Sequence, residues 1–425
     1  MIFAPKPEND FAFFIRTYYE ACRRRFDKIE AIAGKWMFRD LLPGMSDFDA
    51  RFIVADDMTC DDWCRMSAAV GEAHHALCGK YPVWARILEH LPGVNVTWHE
   101  LTAEETYYPE YLQWTFYHSS APERLHQAER TLSDRGLDLK DEYFHLGRFC
   151  TYFGRYNRTI DRPINMGVHA NKYPLHSRLM HYFAPPVHSA MFLLNRRAYV
   201  GKFDALEAAC RLFPALRCWD YLWEILGRSY ETPRWYDEDA LEELEDSLEE
   251  GLNVIAAALR DVVTLIPPEI GIDISGWKRS LADIRIDPGM EFFHQVKFSR
   301  LMKGRLLFYG NAPEHFETDW LIRNELGRIG ANFFTTPFRL LWRVIDGRDV
   351  ESPIAVIDEL QGDLLASDEI QAVKAFHRLT SVPAAAGEEK KAAVQIAGIF
   401  DDYYAVLWKI GRVVATARPA APGAV

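Results

Sequence analysis

The chain has 425 residues, 49% apolar and 13% aromatic, with a formal net charge of −12 and a pI of about 5.7. That composition excludes a disordered chain, and the length exceeds what one ordinary core organises, so two or three domains are expected. The acidity argues against a broad nucleic-acid-binding surface, which needs clustered Lys and Arg, and it suits a small, cationic partner.

The opening "MIFAPKPENDFAFF" lacks the basic start, apolar stretch and small-residue cleavage site of a signal peptide. No uninterrupted apolar stretch approaches the roughly 20 residues a membrane helix needs, so no membrane partner is expected. The seven cysteines are scattered (22, 60, 64, 78, 150, 210, 218), and a reducing cytoplasm with free thiols is the expected setting.

In "NDFAFFIRTYYEACRRRFDKIEAI", Asn9 and Asp10 are potential N-caps, and apolar residues recur at helical spacing up to Gly34. The pattern predicts one helix ending in "AIAGKW". "ARFIV" is a short β-rich run. "CDDWCRMSAAVGEAHHALCGKYPVWARILEHL" reads as one or two helices, and "GVNVTWHEL" alternates like a strand. From about 105 to 235 the chain is aromatic and loop-rich, although "NRRAYVGKFDALEAACRLFP" turns helical. "YDEDALEELEDSLEEGLNVIAAALRDVVTLIPP" predicts a long helix with acids massed at its N-terminus and a Pro-Pro stop, and residues beyond 237 are chiefly helical.

The chemistry concentrates in "AGKWMFRDLLPGMSDFDARFIV". Asp47 and Asp49 lead directly into "ARFIV", and residues of equal parity on an extended segment share a face. Two carboxylates on one face repel each other unless a cation lies between them. Mg²⁺ would take one or two carboxylates and leave positions open for phosphate oxygens. Upstream, Gly34 and Lys35 precede Asp47 by a short loop in which small backbone could approach a phosphate.

Gly34, Lys35, eleven residues and then Asp47-Phe48-Asp49 resemble the nucleotidyltransferase superfamily related to DNA polymerase β, whose members carry Gly-Ser, a short spacer and Asp-apolar-Asp. Small-molecule members often write the second part Ser-Asp-apolar-Asp, as Ser46 to Asp49 do here. Lys35 departs from the pattern, standing where the family has Ser; it could hold a phosphate as a point charge. The match covers about residues 30 to 100.

This resemblance implies an α+β fold: a nucleotidyltransferase-like mixed β-sheet core with flanking helices, followed by a large, mainly α-helical region. The expected division is a catalytic core at 1–115, a mixed aromatic-rich region completing the cleft at 116–235, and a helical domain at 236–425. The implied reaction is in-line attack on the α-phosphate of a nucleoside triphosphate, with ATP expected, and release of pyrophosphate. Mg²⁺ or Mn²⁺ would be held by Asp47, Asp49 and a third carboxylate on a later strand. Glu100 is the expected third ligand or general base, because Val94, Val96, Trp98 and Glu100 share a parity in "GVNVTWHEL"; His99 is the fallback base. Gly34, Lys35, Arg39, Ser46 and Arg51 would line the phosphate site.

The acceptor implied is a hydroxyl or amine of a small molecule, with nucleotides, RNA or protein as alternatives within the superfamily. The contrasting reading is a catalytically degenerate interaction protein.

Other features compete less well. Cys60 and Cys64, with Cys78, His74 and His75, could be imagined around zinc, but they fall within helical pattern. His169, His176, His181 and His188, with Lys172 and Arg178, read as a polar loop lining a cleft. Tyr143, Phe144, Phe149, Tyr152, Phe153 and Tyr156 read as core before base-stacking surface. "FSRLMKGRLLFYG" is similar to a Lys-Gly-Arg-apolar-Leu-Tyr-Gly phrase of antibiotic nucleotidyltransferases, but lies some 200 residues beyond the third-carboxylate strand, so it receives no role.

Overall fold

The computed structural model describes residues 11–43, 46–84, 87–153, 179, 182, 185–232, 235, 237–284, 288–313 and 319–417. The protein is α+β: a small mixed sheet followed by a large helical region. Among the described residues no helix is long and apolar enough to cross a membrane.

Helix α1 (Phe11–Arg23) is shorter than the sequence pattern predicts, because the chain turns at Phe26 and continues as strand β1 (Ile29–Gly34). "AIAG" therefore closes a strand and not the first helix. The reason is pairing: β1 is hydrogen-bonded antiparallel to β2 (Ala50–Val54) on one side and to a later strand on the other, which outweighs local helical spacing.

Helix α2 (Cys60–Lys80) begins at a reciprocal cap, with Thr59 Oγ1 accepting from the Asp62 amide and Asp62 accepting from the Thr59 amide. Strand β3 (Val96–Thr97) runs parallel to β2, so "ARFIV" and "NVTWHE" are neighbours as expected. The extended part is only two residues long. Thr97 caps helix α3 (Trp98–Thr102) with Glu100 as its reciprocal partner, and the alternation read along "GVNVTWHEL" ends there. Strand β4 (Thr115–Ser119) completes the sheet order β3-β2-β1-β4.

The helices that follow are α4 (Pro122–Asp134), α5 (Leu139–Phe153), α6 (Pro185–Asn195), α7 (Lys202–Leu212), α8 (Cys218–Glu231) and α9 (Glu238–Arg260). After them come α10 (Ile274–Asp283), α11 (Pro288–Ser299), α12 (Met302–Asn311), α13 (Asp319–Gly330), α14 (Thr336–Ile345), α15 (Ser367–Ser381) and α16 (Glu389–Ala417). The expected charged start of α9 is present: Asp237 accepts from the Ala240 amide and Glu238 and Asp239 occupy the first turn.

Both faces of the sheet are covered. Phe52 and Val54 face α1 and α2, while Ala31, Ala33, Ile53 and Val96 face the Trp98–Trp114 segment and α4. Most buried apolar residues of 11–91 share one core with residues 292–414, whereas Leu42 and residues 146–230 share another with residues 241–281. The late helices reach the sheet region through a close crossing of α12 on α2. There the Gly304 amide donates to Ser67 Oγ at 2.9 Å, and a Cβ on Gly304 would lie 2.2 Å from the Ser67 carbonyl oxygen.

Candidate functional site

The loop before β2 places the two aspartates by burying the residue between them. Phe48 is 3% exposed and packs edge-on against Phe14 and Tyr117, each at 5.9 Å between ring centres. Gly34 leaves the space for it: a Cβ there would lie 2.5 Å from the Phe48 ring. With Phe48 turned inward, the chain folds tightly at Asp49, where the Ala50 amide donates to the Phe48 carbonyl at 2.8 Å, and both aspartates come to lie near one histidine. The Lys35 amide donates to the Asp49 carbonyl at 3.1 Å, tying the end of β1 to the start of β2.

The partner of these carboxylates is a residue that sequence reasoning missed. The Phe48 amide donates to the Ile87 carbonyl at 3.3 Å, which docks the 87–91 segment beside the loop. His90 Nε2 then lies 3.0 Å from Asp47 Oδ2 and 3.9 Å from Asp49 Oδ1. An ionised carboxylate only accepts, so Nε2 carries a proton in this arrangement. His90 Nδ1 is 2.9 Å from the Leu91 carbonyl and 3.3 Å from Arg305 Nη2; a protonated ring satisfies the first contact and a neutral ring the second. Burial and the Arg305 charge push the His90 pKa down, but the hydrogen bond and charge of Asp47, with the charge of Asp49, outweigh them and leave it raised.

Arg305 comes from the "KGR" phrase to which the sequence assigned no role. The α2–α12 crossing delivers it, and it donates to the Leu91 carbonyl at 2.7 Å and to Glu325 at 3.0 Å. Beside it opens a cavity of about 280 Å³, to which Asp49, Arg51, Glu89, His90, Arg305 and Arg328 contribute.

The expected phosphate-site side chains are engaged in ion pairs and a turn. Lys35 Nζ pairs with Glu110 at 3.0 Å, and Arg51 pairs with Glu110 at 3.0 Å and lies 3.6 Å from Asp49. Burial pushes the Glu110 carboxyl up, but Lys35 and Arg51 more than offset it and hold it well below the usual range. Arg39 pairs with Asp204 on α7, and Ser46 Oγ accepts from the Leu42 amide at 2.9 Å, closing a turn. A cation absent from the sequence reading, Lys202, stands at the first turn of α7. Asp40 fixes that helix start by accepting from the amides of Lys202 and Phe203 at 2.8 and 3.2 Å. Burial lowers the Lys202 pKa against the opposing charges of Asp40, Asp47 and Asp49, so its ammonium lies within the field of the aspartate pair.

Glu100 is held elsewhere. As the third residue of α3 it accepts from the Thr97 amide at 2.9 Å, and both its oxygens meet Arg300 at 2.6 Å. Burial raises its pKa, but Arg300 outweighs burial and leaves it lowered to about 2. Its oxygens are thus committed to a structural ion pair, and the assignment as third ligand or base rested on a strand phase that α3 replaces. His99 is exposed and pairs with Glu105 at 3.3 Å.

A different set could hold a metal ion. One oxygen or nitrogen from each of Asp47, Glu89 and His90 lies within 4.8 Å of the others, the only such His, Cys and carboxylate group among the described residues. Cys60, Cys64 and Cys78 are free thiols outside it. His74 is buried, bonded to Tyr18 and the Leu88 carbonyl, with its pKa lowered by burial to about 3. His188 is bonded to the Tyr199 carbonyl and stands edge-on to Trp36. His169, His176, His181, Lys172, Arg178 and Tyr156 lie outside the described residues.

No family model, no curated protein and no solved structure matches the chain.

Proposed function

We propose that the protein is a metal-dependent nucleotidyltransferase that moves a nucleoside monophosphate from a triphosphate, ATP in the first instance, to a hydroxyl or amine of a small molecule. One observation carries the reading. A strand ending at Gly34, with Lys35 next to it, leads through a loop into an antiparallel strand, and Asp47 and Asp49 stand where that loop enters the second strand, both close to His90.

A divalent metal bound there would neutralise phosphate charge and align the leaving and entering oxygens. The chain's own groups divide the remaining work. Asp47 and Asp49 supply the negative charge that holds the cation. Lys202 and Arg305 supply positive charge close to it and can attract a polyphosphate. Phe48 and the locked 87–91 segment keep the carboxylates in one orientation, so little reorganisation is left for the reaction. The cavity beside Asp49 is of a size for a small acceptor, and the acidic chain favours one carrying positive charge.

Labelled triphosphates incubated with the protein and a metabolite extract should yield pyrophosphate and an acceptor heavier by one nucleotide. Asp47→Asn or Asp49→Asn should abolish both without loss of fold, and full turnover in either variant refutes the assignment.

A second reading, an interaction protein without turnover, is favoured by Lys35, whose ammonium is occupied by Glu110, and by Glu100, which Arg300 occupies. ATP with Mg²⁺ would then leave the melting temperature unchanged, since a ligand that binds the folded state must stabilise it, and no pyrophosphate would be released.

A further inference from the structure

We propose that Asp47, Glu89 and His90 form a mixed oxygen–nitrogen metal centre that selects a divalent transition ion over Mg²⁺. The inference deepens the reading above and rests on it for the place of the site, but the metal preference stands on this chain's own geometry.

Three residues from two segments converge. Asp47 comes from the loop before β2, and Glu89 and His90 come from the segment that the Phe48 amide docks against it. Their ligand atoms lie mutually within 4.8 Å, and His90 Nε2 is 3.0 Å from Asp47 Oδ2. Ligands about 2.0 to 2.2 Å from one ion stand about 3 Å apart when adjacent around it. The site is prebuilt, since the backbone that carries His90 is pinned on both sides. Leu88 is held by His74, and Leu91 by Arg305.

Imidazole nitrogen is a borderline-soft ligand. It suits first-row transition ions, while Mg²⁺ prefers an all-oxygen octahedron and retains its waters. Replacing the expected third carboxylate by an imidazole therefore shifts the preference away from Mg²⁺. A metal at Nε2 would take the place of its proton, and Nδ1–H would then donate to the Leu91 carbonyl at 2.9 Å, the kind of outer hydrogen-bond partner that orients a metal-bound histidine. The cavity reached past Asp49 and Glu89 leaves the centre open on one side for a further ligand.

Mn²⁺ is the probe, because it is the weakest binder of its series and so gives the most stringent comparison with Mg²⁺. The full chain, without nucleotide, is titrated with Mn²⁺ or Mg²⁺ alone, followed by calorimetry and by the electron spin-echo spectrum of bound Mn²⁺. One Mn²⁺ per chain should bind at least about tenfold more tightly than Mg²⁺ and show coupling to a directly bound nitrogen. His90→Gln should remove that coupling and weaken Mn²⁺ by about 10- to 100-fold, with little effect on Mg²⁺. Glu89→Gln, a second variant should the first not fold, should weaken both ions. Equal Mn²⁺ and Mg²⁺ affinities in the parent, or bound Mn²⁺ without nitrogen coupling, overturn the proposal. Pyrophosphate release with Mg²⁺ alongside an Mn²⁺ spectrum lacking nitrogen coupling would overturn the metal assignment and keep the functional reading. Nitrogen-coupled Mn²⁺ without turnover on any triphosphate would do the reverse.

Discussion

Replacing Glu100 by Gln separates the structural role seen here from the catalytic role its sequence position suggests. The carboxyl has an ordinary value of 4.5 and a folded value of about 2. At about 1.4 kcal/mol per pKa unit, that difference amounts to about 3 kcal/mol of stability at neutral pH. Removing the charge also strands Arg300, which is buried against Trp63 with its guanidinium 4.0 Å over the ring. Breaking one side of a buried pair typically costs about 3–5 kcal/mol, the same order by an independent route. Gln can still fill the capping position, so the loss is expected from charge and not from α3 itself.

The sign follows from the folded value lying below the unfolded one. The contribution is complete above pH 4.5 and disappears as pH falls through about 2. Urea unfolding of parent and variant at several pH values should show a gap of about 3 kcal/mol at pH 7 that closes towards pH 2. Neutral buried histidines such as His74 titrate in both proteins and cancel in the difference. A variant within about 0.5 kcal/mol of the parent at pH 7, with an unchanged acid limb, refutes the ion-pair reasoning. A stable variant that has lost pyrophosphate release would return Glu100 to the active site.

Gly304→Ala should lower stability by about 1–3 kcal/mol in a thermal melt, because its Cβ would lie 2.2 Å from the Ser67 carbonyl; Gly71→Ala, whose nearest contact would be 3.1 Å, should cost less. Phe48→Ala should cost about 3–5 kcal/mol and also abolish turnover, since the ring fixes the orientation of both aspartates. Lys202→Met should keep the fold and weaken triphosphate binding in an equilibrium titration; unchanged affinity would remove Lys202 from the site.

The sequence made the aspartate pair readable because its signal is local: alternation predicts Asp47, Asp49 and Arg51 on one face of an extended segment, and Arg51 does lie 3.6 Å from Asp49. The long helix from Glu238 and the pairing of "ARFIV" with "NVTWHE" were readable for the same reason. Phase was lost where a local pattern competed with a contact. "IEAIAG" has helical spacing, yet two neighbouring strands claim its backbone. "TWHE" alternates, yet it also spells Ser/Thr-x-x-Glu, the reciprocal cap that starts α3, and that second signal was present in the letters. His90 had no comparable signal. It sits 41 residues from Asp49 in a loop, and the Phe48–Ile87 hydrogen bond, the His74 bond to the Leu88 carbonyl and the Arg305 clamp bring it to the pair. The separation of "KGR" from the sheet by some 200 residues argued against a role from sequence alone. A glycine on α12 packed against α2 makes that distance irrelevant, because the helix crossing, and not the chain, delivers Arg305. The residues that distinguish this site from a plain aspartate pair are therefore those supplied by tertiary packing, which spacing along one sequence does not encode.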